Sequence, residues 1–284
     1  MNAAAGWALA AAVLMHVSWN LAARRADPRS HFLWWGLLAW LLAFGPWSIA
    51  HLIAAAKWTV TLAGLLLVTC AANTLYFVAL GTAYRHGPVP LVYPIARSSP
   101  LWIAAWMALF FGERLPVVGW GGIALSVAGV LALALTARGG ARARAVPWAV
   151  AAALGTSAYS IANKFAVSAL PDYVALLGWI SAAFAASWVG LTLQHWRQTG
   201  RAKPAVRPPL LLVATAGAFV GNAYALVIHA MRYIPAAYAV AFTNAGIVIA
   251  GLIAMIWFRE REHWGRRLAA MLAICTGLSL LALR

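Results

Sequence analysis

Apolar residues along this chain fall into ten runs, at about 3–23, 32–53, 60–83, 89–111, 116–136, 147–167, 173–193, 209–230, 235–258 and 266–283. About 20 mainly apolar residues let a helix cross a bilayer, because a rise of about 1.5 Å per residue then covers about 30 Å of hydrocarbon. The breaks between runs carry helix-ending chemistry: Arg24-Arg25-Ala26-Asp27-Pro28, Gly87-Pro88, Gly112-Glu113-Arg114-Leu115-Pro116, Arg138-Gly139-Gly140, Pro171-Asp172, Pro208-Pro209 and Pro235. The alternation of a membrane β-barrel is absent. The pattern predicts an all-α polytopic membrane protein with ten transmembrane helices and no room for a soluble domain. The first run is expected to stay as a spanning helix, since no small-residue cleavage site precedes a polar segment.

The runs repeat. Placing Arg85 on Arg232 and reading forward without a gap brings Pro88 onto Pro235, Phe111 onto Phe258, Glu113 onto Glu260 and Arg114 onto Arg261. Trp7 and Trp148 open the first and sixth runs, and Asn20 meets Asn163 once two residues are gapped. The expected halves, residues 1–137 and 146–284, hold five helices each and are joined by the basic loop from Arg138 to Ala145. An odd number of spans per half forces the second half to insert upside down. The prediction is two inverted five-helix repeats, the usual architecture of alternating access.

Several motifs sit at matched places in the two copies. Ala83-Tyr84-Arg85-His86-Gly87-Pro88-Val89-Pro90 precedes one run, Phe110-Phe111-Gly112-Glu113-Arg114-Leu115-Pro116 precedes the next, and Gly119, Gly122 and Gly129 space the helix that follows. The second copy reads Met231-Arg232-Tyr233-Ile234-Pro235 and Phe258-Arg259-Glu260-Arg261, and the chain opens with His16-Val17-Ser18-Trp19-Asn20 before Arg24-Arg25. Over essentially its whole length the chain resembles the EamA family of the drug/metabolite transporter superfamily. The resemblance implies two EamA-like five-helix repeats, a central cavity between them and transport of a small metabolite, without specifying which. The second copy departs from the pattern where Gly112 becomes Arg259 and Pro116 becomes His263, which predicts a differently shaped turn.

Composition adds where charge is missing. Of 284 residues, 64% are hydrophobic and 9% charged, against about 25% charged in a soluble domain. The 21 Lys and Arg against 5 Asp and Glu would suggest nucleic acid in a soluble chain. Here no basic residue lies in a polar domain able to dock a duplex, so the excess is read as anchoring to lipid headgroups, with no nucleic-acid partner. Odd-numbered loops hold most of it, including Arg25, Arg85, Arg138, Arg201 and Arg267, while the other face holds Lys57, Arg114, Arg232 and Arg284. By the positive-inside rule the loaded face is cytoplasmic and both termini lie outside. Cys70 and Cys275 fall inside apolar runs and are read as small buried hydrophobes without disulfide or metal spacing.

A polar residue at membrane depth is costly and by default a functional candidate. Arg97 lies nine residues into the fourth run, one turn after Tyr93, with Pro94 and Pro100 able to free nearby carbonyls. Its fork of donors suits a carboxylate or phosphate; otherwise it snorkels or caps a neighbouring helix end. Its repeat partner, Asn244, is uncharged. Four further pairs share a helix face by spacing: His16 with Asn20, Asn73 with Tyr76, Tyr159 with Asn163, and Asn222 with His229. Each either contacts substrate in the cavity that the resemblance implies or hydrogen-bonds helix to helix. Trp19 and Tyr224 are candidate cavity walls, and Lys164 is expected to snorkel to the interface. His16 and His229 are the candidate proton exchangers near neutral pH.

All five carboxylates, Asp27, Glu113, Asp172, Glu260 and Glu262, fall in loops or at helix ends. That placement disfavours cation/proton antiport on an intramembrane Glu. The repeat-related Glu113 and Glu260 are read as organisers of short turns through ion pairs and capping. No metalloprotease, phosphate-binding or dinucleotide motif and no Cys/His cluster is present, so neither enzyme activity nor a cofactor is expected. The sequence thus predicts a secondary or facilitative carrier in the cell inner membrane, moving a neutral, zwitterionic or anionic metabolite such as an amino-acid-like solute. Its expected partners are that solute and the bilayer, with the chain acting as a monomer. The reading from another class is an intramembrane enzyme acting on lipid or isoprenoid substrates.

Overall fold

A computed structural model describes residues 3–135, 143–256 and 263–283. Their regular structure is helical throughout: α1 (Ala3–Arg25), α2 (Phe32–Ala55), α3 (Val60–His86), α4 (Val89–Ala96), α5 (Ser99–Phe111), α6 (Val117–Leu135), α7 (Ala145–Ala166), α8 (Tyr173–Thr199), α9 (Leu210–Ala230), α10 (Ala236–Phe242), α11 (Ala245–Ile256) and α12 (Trp264–Ala282). Among the described residues nine segments are long and apolar enough to cross a membrane. The α4–α5 pair covers the remaining apolar run. Large apolar side chains stand exposed on the outside, among them Leu42, Leu67, Leu109, Phe110 and Leu272. Lipid accepts such a surface and water does not. The chain is therefore a multi-pass, all-helical membrane protein.

The fourth and ninth runs are not single helices. α4 stops before Arg97 and α5 restarts at Ser99; α10 stops before Thr243 and α11 restarts at Ala245. In the first case Pro100 has no N–H to offer the Ala96 carbonyl. The chain tightens there into shorter turns, with Ser98 N–H on Ile95 O at 3.1 Å and the Ser98 hydroxyl on the same oxygen at 2.8 Å. In the second case no proline intervenes. Thr243 and Asn244 instead donate to Val240 O and Ala241 O, and the Thr243 hydroxyl adds a 2.6 Å bond to Val240 O. The two breaks fall at Arg97 and Asn244, the positions that the sequence register pairs.

Helices pack mainly on helices from the other half of the chain: α1 on α9, α3 on α7, α2 on α8 and α6 on α12, with α5 against α10. Small residues permit the closest approaches. A Cβ added at Gly277 would lie 2.6 Å from Gly122 O, and one at Gly129 would lie 2.7 Å from Ala270 O, so α6 and α12 touch backbone to backbone. Cys70 and Cys275 are free, but Cys275 is exposed on α12. The expectation of two buried thiols fails there because the lipid-facing surface is itself apolar.

The first, third and seventh loops gather at one end. Arg85 Nη1 donates to Gln198 Oε1 at 2.5 Å, Trp35 Nε1 donates to Val206 O at 3.3 Å, and the His31 and His195 rings meet at 4.6 Å. Lys203 and Arg207 lie over the Trp35 ring at 5.5 and 5.2 Å. At the other end Lys164 caps α9 by donating to Met231 O and Ile234 O, and Arg232 donates to Leu170 O at 3.0 Å. Lys164 thus satisfies carbonyls at a helix C-terminus, where a cation is favoured, and does not simply reach for the interface. Glu113, expected to organise its turn through ion pairs and capping, lies within electrostatic reach of Lys164. Burial pushes its carboxyl above the usual range against the opposing pull of Lys164, and its Oε2 has no hydrogen-bond partner among the described residues. Glu260 lies outside the described residues.

Asp172 caps α8 at the same end, accepting from Ala175 N–H at 2.8 Å and lying 2.8 Å from His51 Nε2. The backbone bond first, then His51, holds its carboxyl below the ordinary value. A carboxylate depressed on folding stabilises the protein above its unfolded pKa, about 3.9, and loses that contribution as pH falls through the folded value. Asp172→Asn keeps an equally good cap. It should therefore flatten the acid limb of a thermal-unfolding profile below about pH 4, whereas Asp172→Ala should cost about 1 kcal/mol at neutral pH.

Candidate functional site

The residues at the two breaks meet at one cavity. Arg97 ends the turn after α4, and its Nη1 donates to Thr243 Oγ1 in the other broken helix at 2.9 Å. Its guanidinium carbon lies 5.0 Å from the Tyr93 ring centroid. Its Nε is buried with no hydrogen-bond partner among the described residues. Arg97 lines a cavity of about 70 Å³ together with Ser99, Thr243 and Val240. That volume holds a few waters, so a metabolite needs the helices to part.

The cavity walls come from both halves. α1 supplies His16 and Trp19, and α3 supplies Asn73, Tyr76 and Phe77. α7 supplies Thr156, Tyr159 and Ser160, α8 supplies Phe184, and α9 supplies Val220, Tyr224 and Val227. Aromatic rings brace one another edge to face, Tyr159 against Tyr76 at 5.9 Å and against Tyr224 at 5.3 Å. Trp19 Nε1 donates to His16 Nδ1 at 3.1 Å. An indole N–H only donates, so that imidazole nitrogen is an acceptor, and a neutral ring then carries its proton on Nε2. Ser160 Oγ, fully buried at the cavity, has no hydrogen-bond partner among the described residues.

Eight sequence candidates thus come together: Arg97, Tyr93, His16, Trp19, Asn73, Tyr76, Tyr159 and Tyr224. Five others lie outside the lining. Asn20 donates to His16 O within its own helix, and Asn222 likewise to Ala218 O. His229 stands between the Tyr173 and Tyr233 rings at 6.2 and 5.7 Å. Asn244 is buried beside Ser126, 3.5 Å away. Asn163 joins four helices: its Oδ1 accepts from Thr69 Oγ1 at 3.1 Å and Trp179 Nε1 at 2.8 Å, and its Nδ2 donates to the Tyr224 hydroxyl. Asn163→Ala would strand those partners and should lower thermal stability by about 1–3 kcal/mol, with any binding defect secondary to it.

Sequence reasoning missed Phe184, Thr156, Ser160 and Thr243. Hydroxyls in spans usually bond their own helix, as Thr156 does on Ala152 O at 3.0 Å, so spacing alone could not separate them from packing groups. The adjacency of Thr243 to Asn244 was the one available signal. Among the described residues no group of three His, Cys, Asp or Glu is placed to hold a metal. A second cleft, about 280 Å³, opens at the basic end between Arg29, His195, Thr199 and Arg201, remote from the breaks in sequence and polar partners.

Comparison with known proteins speaks to fold. No family model matches the chain, and no curated protein does. Among solved structures 27 chains match. One, titled only "Crystal structure of protein", superposes with a TM-score of 0.72 at 21% identity, covering 100% of this chain and 98% of its own. The whole chain is thus similar in fold to a structure already seen.

Proposed function

We propose that this chain is a carrier that moves a small organic metabolite across the cell inner membrane by alternating access, built as two inverted EamA-like repeats, residues 1–137 and 146–284. The observation that carries the reading is the cavity's place at two helix breaks paired by the sequence register, Arg97 in one half and Thr243 with Asn244 in the other. Discontinuous spans at corresponding positions of two halves are a common way for carriers to build a midplane site, because the broken turns free polar groups where lipid cannot reach them. The packing supports the repeat. Exchanging the halves turns the α1–α9 contact into α3–α7 and the α2–α9 contact into α3–α8, and both members of each pair are present. A site walled by both halves is accessible alternately when one half rocks against the other.

The test is two-sided access. With Cys70 and Cys275 replaced by Ser, a single cysteine at Val227, which lines the cavity, is probed with a membrane-impermeant maleimide in oriented vesicles. Labelling is expected from either side, with the ratio shifted by solute. Labelling from one side under every condition, or turnover of a lipid by purified protein, overturns the proposal.

A further inference from the structure

We infer that the cavity takes a solute bearing one free carboxylate on a flat apolar body and no ammonium group. The inference deepens the carrier reading and rests on it for movement, though not for binding. Arg97 is the only Lys or Arg lining the cavity, and no Asp or Glu lines it, among the described residues. The site therefore carries one positive charge, and a buried charge is costly until it is paired and hydrogen-bonded. A monoanion brings the sum to zero. A neutral solute leaves Arg97 uncompensated, a phosphate dianion leaves a negative charge over, and a zwitterion brings an ammonium that has no carboxylate to meet. Aromatic faces offer an ammonium about 0.5–2 kcal/mol, less than a matched ion pair in the same cavity.

The donors agree with the charge. Arg97 Nε is buried and unpartnered among the described residues, and the Trp19 bond to Nδ1 leaves His16 Nε2–H as a donor. These are groups for carboxylate oxygens. The remaining wall suits a planar apolar body: Phe184 and Tyr224 stack at an interplanar angle of 13°, and Val220, Val227 and Val240 line the space beside them.

The experiment measures binding to the full chain in detergent, by calorimetry and thermal shift, with 3-phenylpropionate, its amide, phenylalanine and phenyl phosphate. The acid should raise the melting temperature and bind about a hundredfold more tightly than the amide, with phenylalanine and phenyl phosphate also weaker. Arg97→Gln should abolish the preference of acid over amide, while Arg97→Lys keeps the preference at reduced affinity, because it retains the charge and loses the fork. Asn222→Ala, on the α9 position bonded to its own helix, should change nothing. The inference is overturned if the acid does not bind at millimolar concentration, if the amide or phenylalanine binds equally well, or if Arg97→Gln keeps the discrimination. Acid binding without flux in vesicles overturns the carrier reading alone. Flux of neutral or zwitterionic solutes without acid binding overturns this inference alone.

Discussion

Arg97→Met is expected to stabilise the empty protein and to abolish solute flux. The guanidinium donates to the Thr243 hydroxyl and lies over the Tyr93 ring, at a cavity that no carboxylate lines among the described residues. Replacing a buried charge that lacks an ionic partner by an apolar side chain of similar length removes its desolvation cost, on the order of several kcal/mol per ion in a protein interior. Purely structural residues behave oppositely. If Arg97 served mainly to cap α10 through Thr243, methionine would forfeit that bond and lower the melting temperature. Thermal unfolding in detergent, read beside flux in vesicles, separates the two. Higher stability with lost flux marks a residue kept for its solute, whereas lower stability returns Arg97 to a capping role.

Gly178→Ala is expected to be among the most damaging single-methyl changes in the chain. A Cβ there would lie 2.1 Å from Ser48 O and 2.7 Å from Leu52 Cβ. Since the first is backbone, no rotamer relieves the clash, and α2 and α8 must separate. The same interface holds the Trp40 Nε1 bond to Ser181 Oγ at 3.1 Å and the Ser48–Ser181 hydroxyl pair at 3.1 Å, all buried, so parting the helices costs Trp40 and Ser181 these partners, while Ser48 keeps its bond to Phe44 O. The overpacking alone costs about 1–3 kcal/mol. Gly121→Ala is the matched control, because a Cβ there meets nothing within 4 Å, and replacing a helical glycine in open space gains up to about 1 kcal/mol. Melting temperatures of the two variants should move in opposite directions; a Gly178→Ala protein as stable as wild type would refute the packing argument.

Gly121 and Gly122 show where sequence reading stops. They are neighbours in one apolar run, and both read as small residues permitting close helices. Only Gly122 meets α12, where an added Cβ would lie 2.8 Å from Gly277 O. Which face of a helix meets a neighbour is set by the neighbour, and in a run apolar all round nothing in the residue pattern marks that face. The same limit divides the asparagines. Asn20 and Asn163 align in the repeat, yet one bonds His16 O in its own helix and the other ties together α3, α7, α8 and α9. Tyr93, Tyr76 and Tyr159 were recognisable because a phenol at membrane depth is rare and must find a polar or aromatic neighbour. Phe184 carried no such mark.

The ten apolar runs, their punctuation and the imbalance of charge determined by themselves that this chain crosses a membrane many times as helices, because hydrocarbon leaves a backbone only helices and closed barrels to satisfy its polar groups and the alternation of a barrel is absent. The register between halves pointed to Arg97 and Asn244 as a related pair. Only the tertiary structure decided that both paired spans are broken, that Thr243 and not Asn244 faces the cavity, and that Arg97 stands there without a carboxylate partner among the described residues. Burial and partnership belong to packed helices, and no run of residues carries them alone.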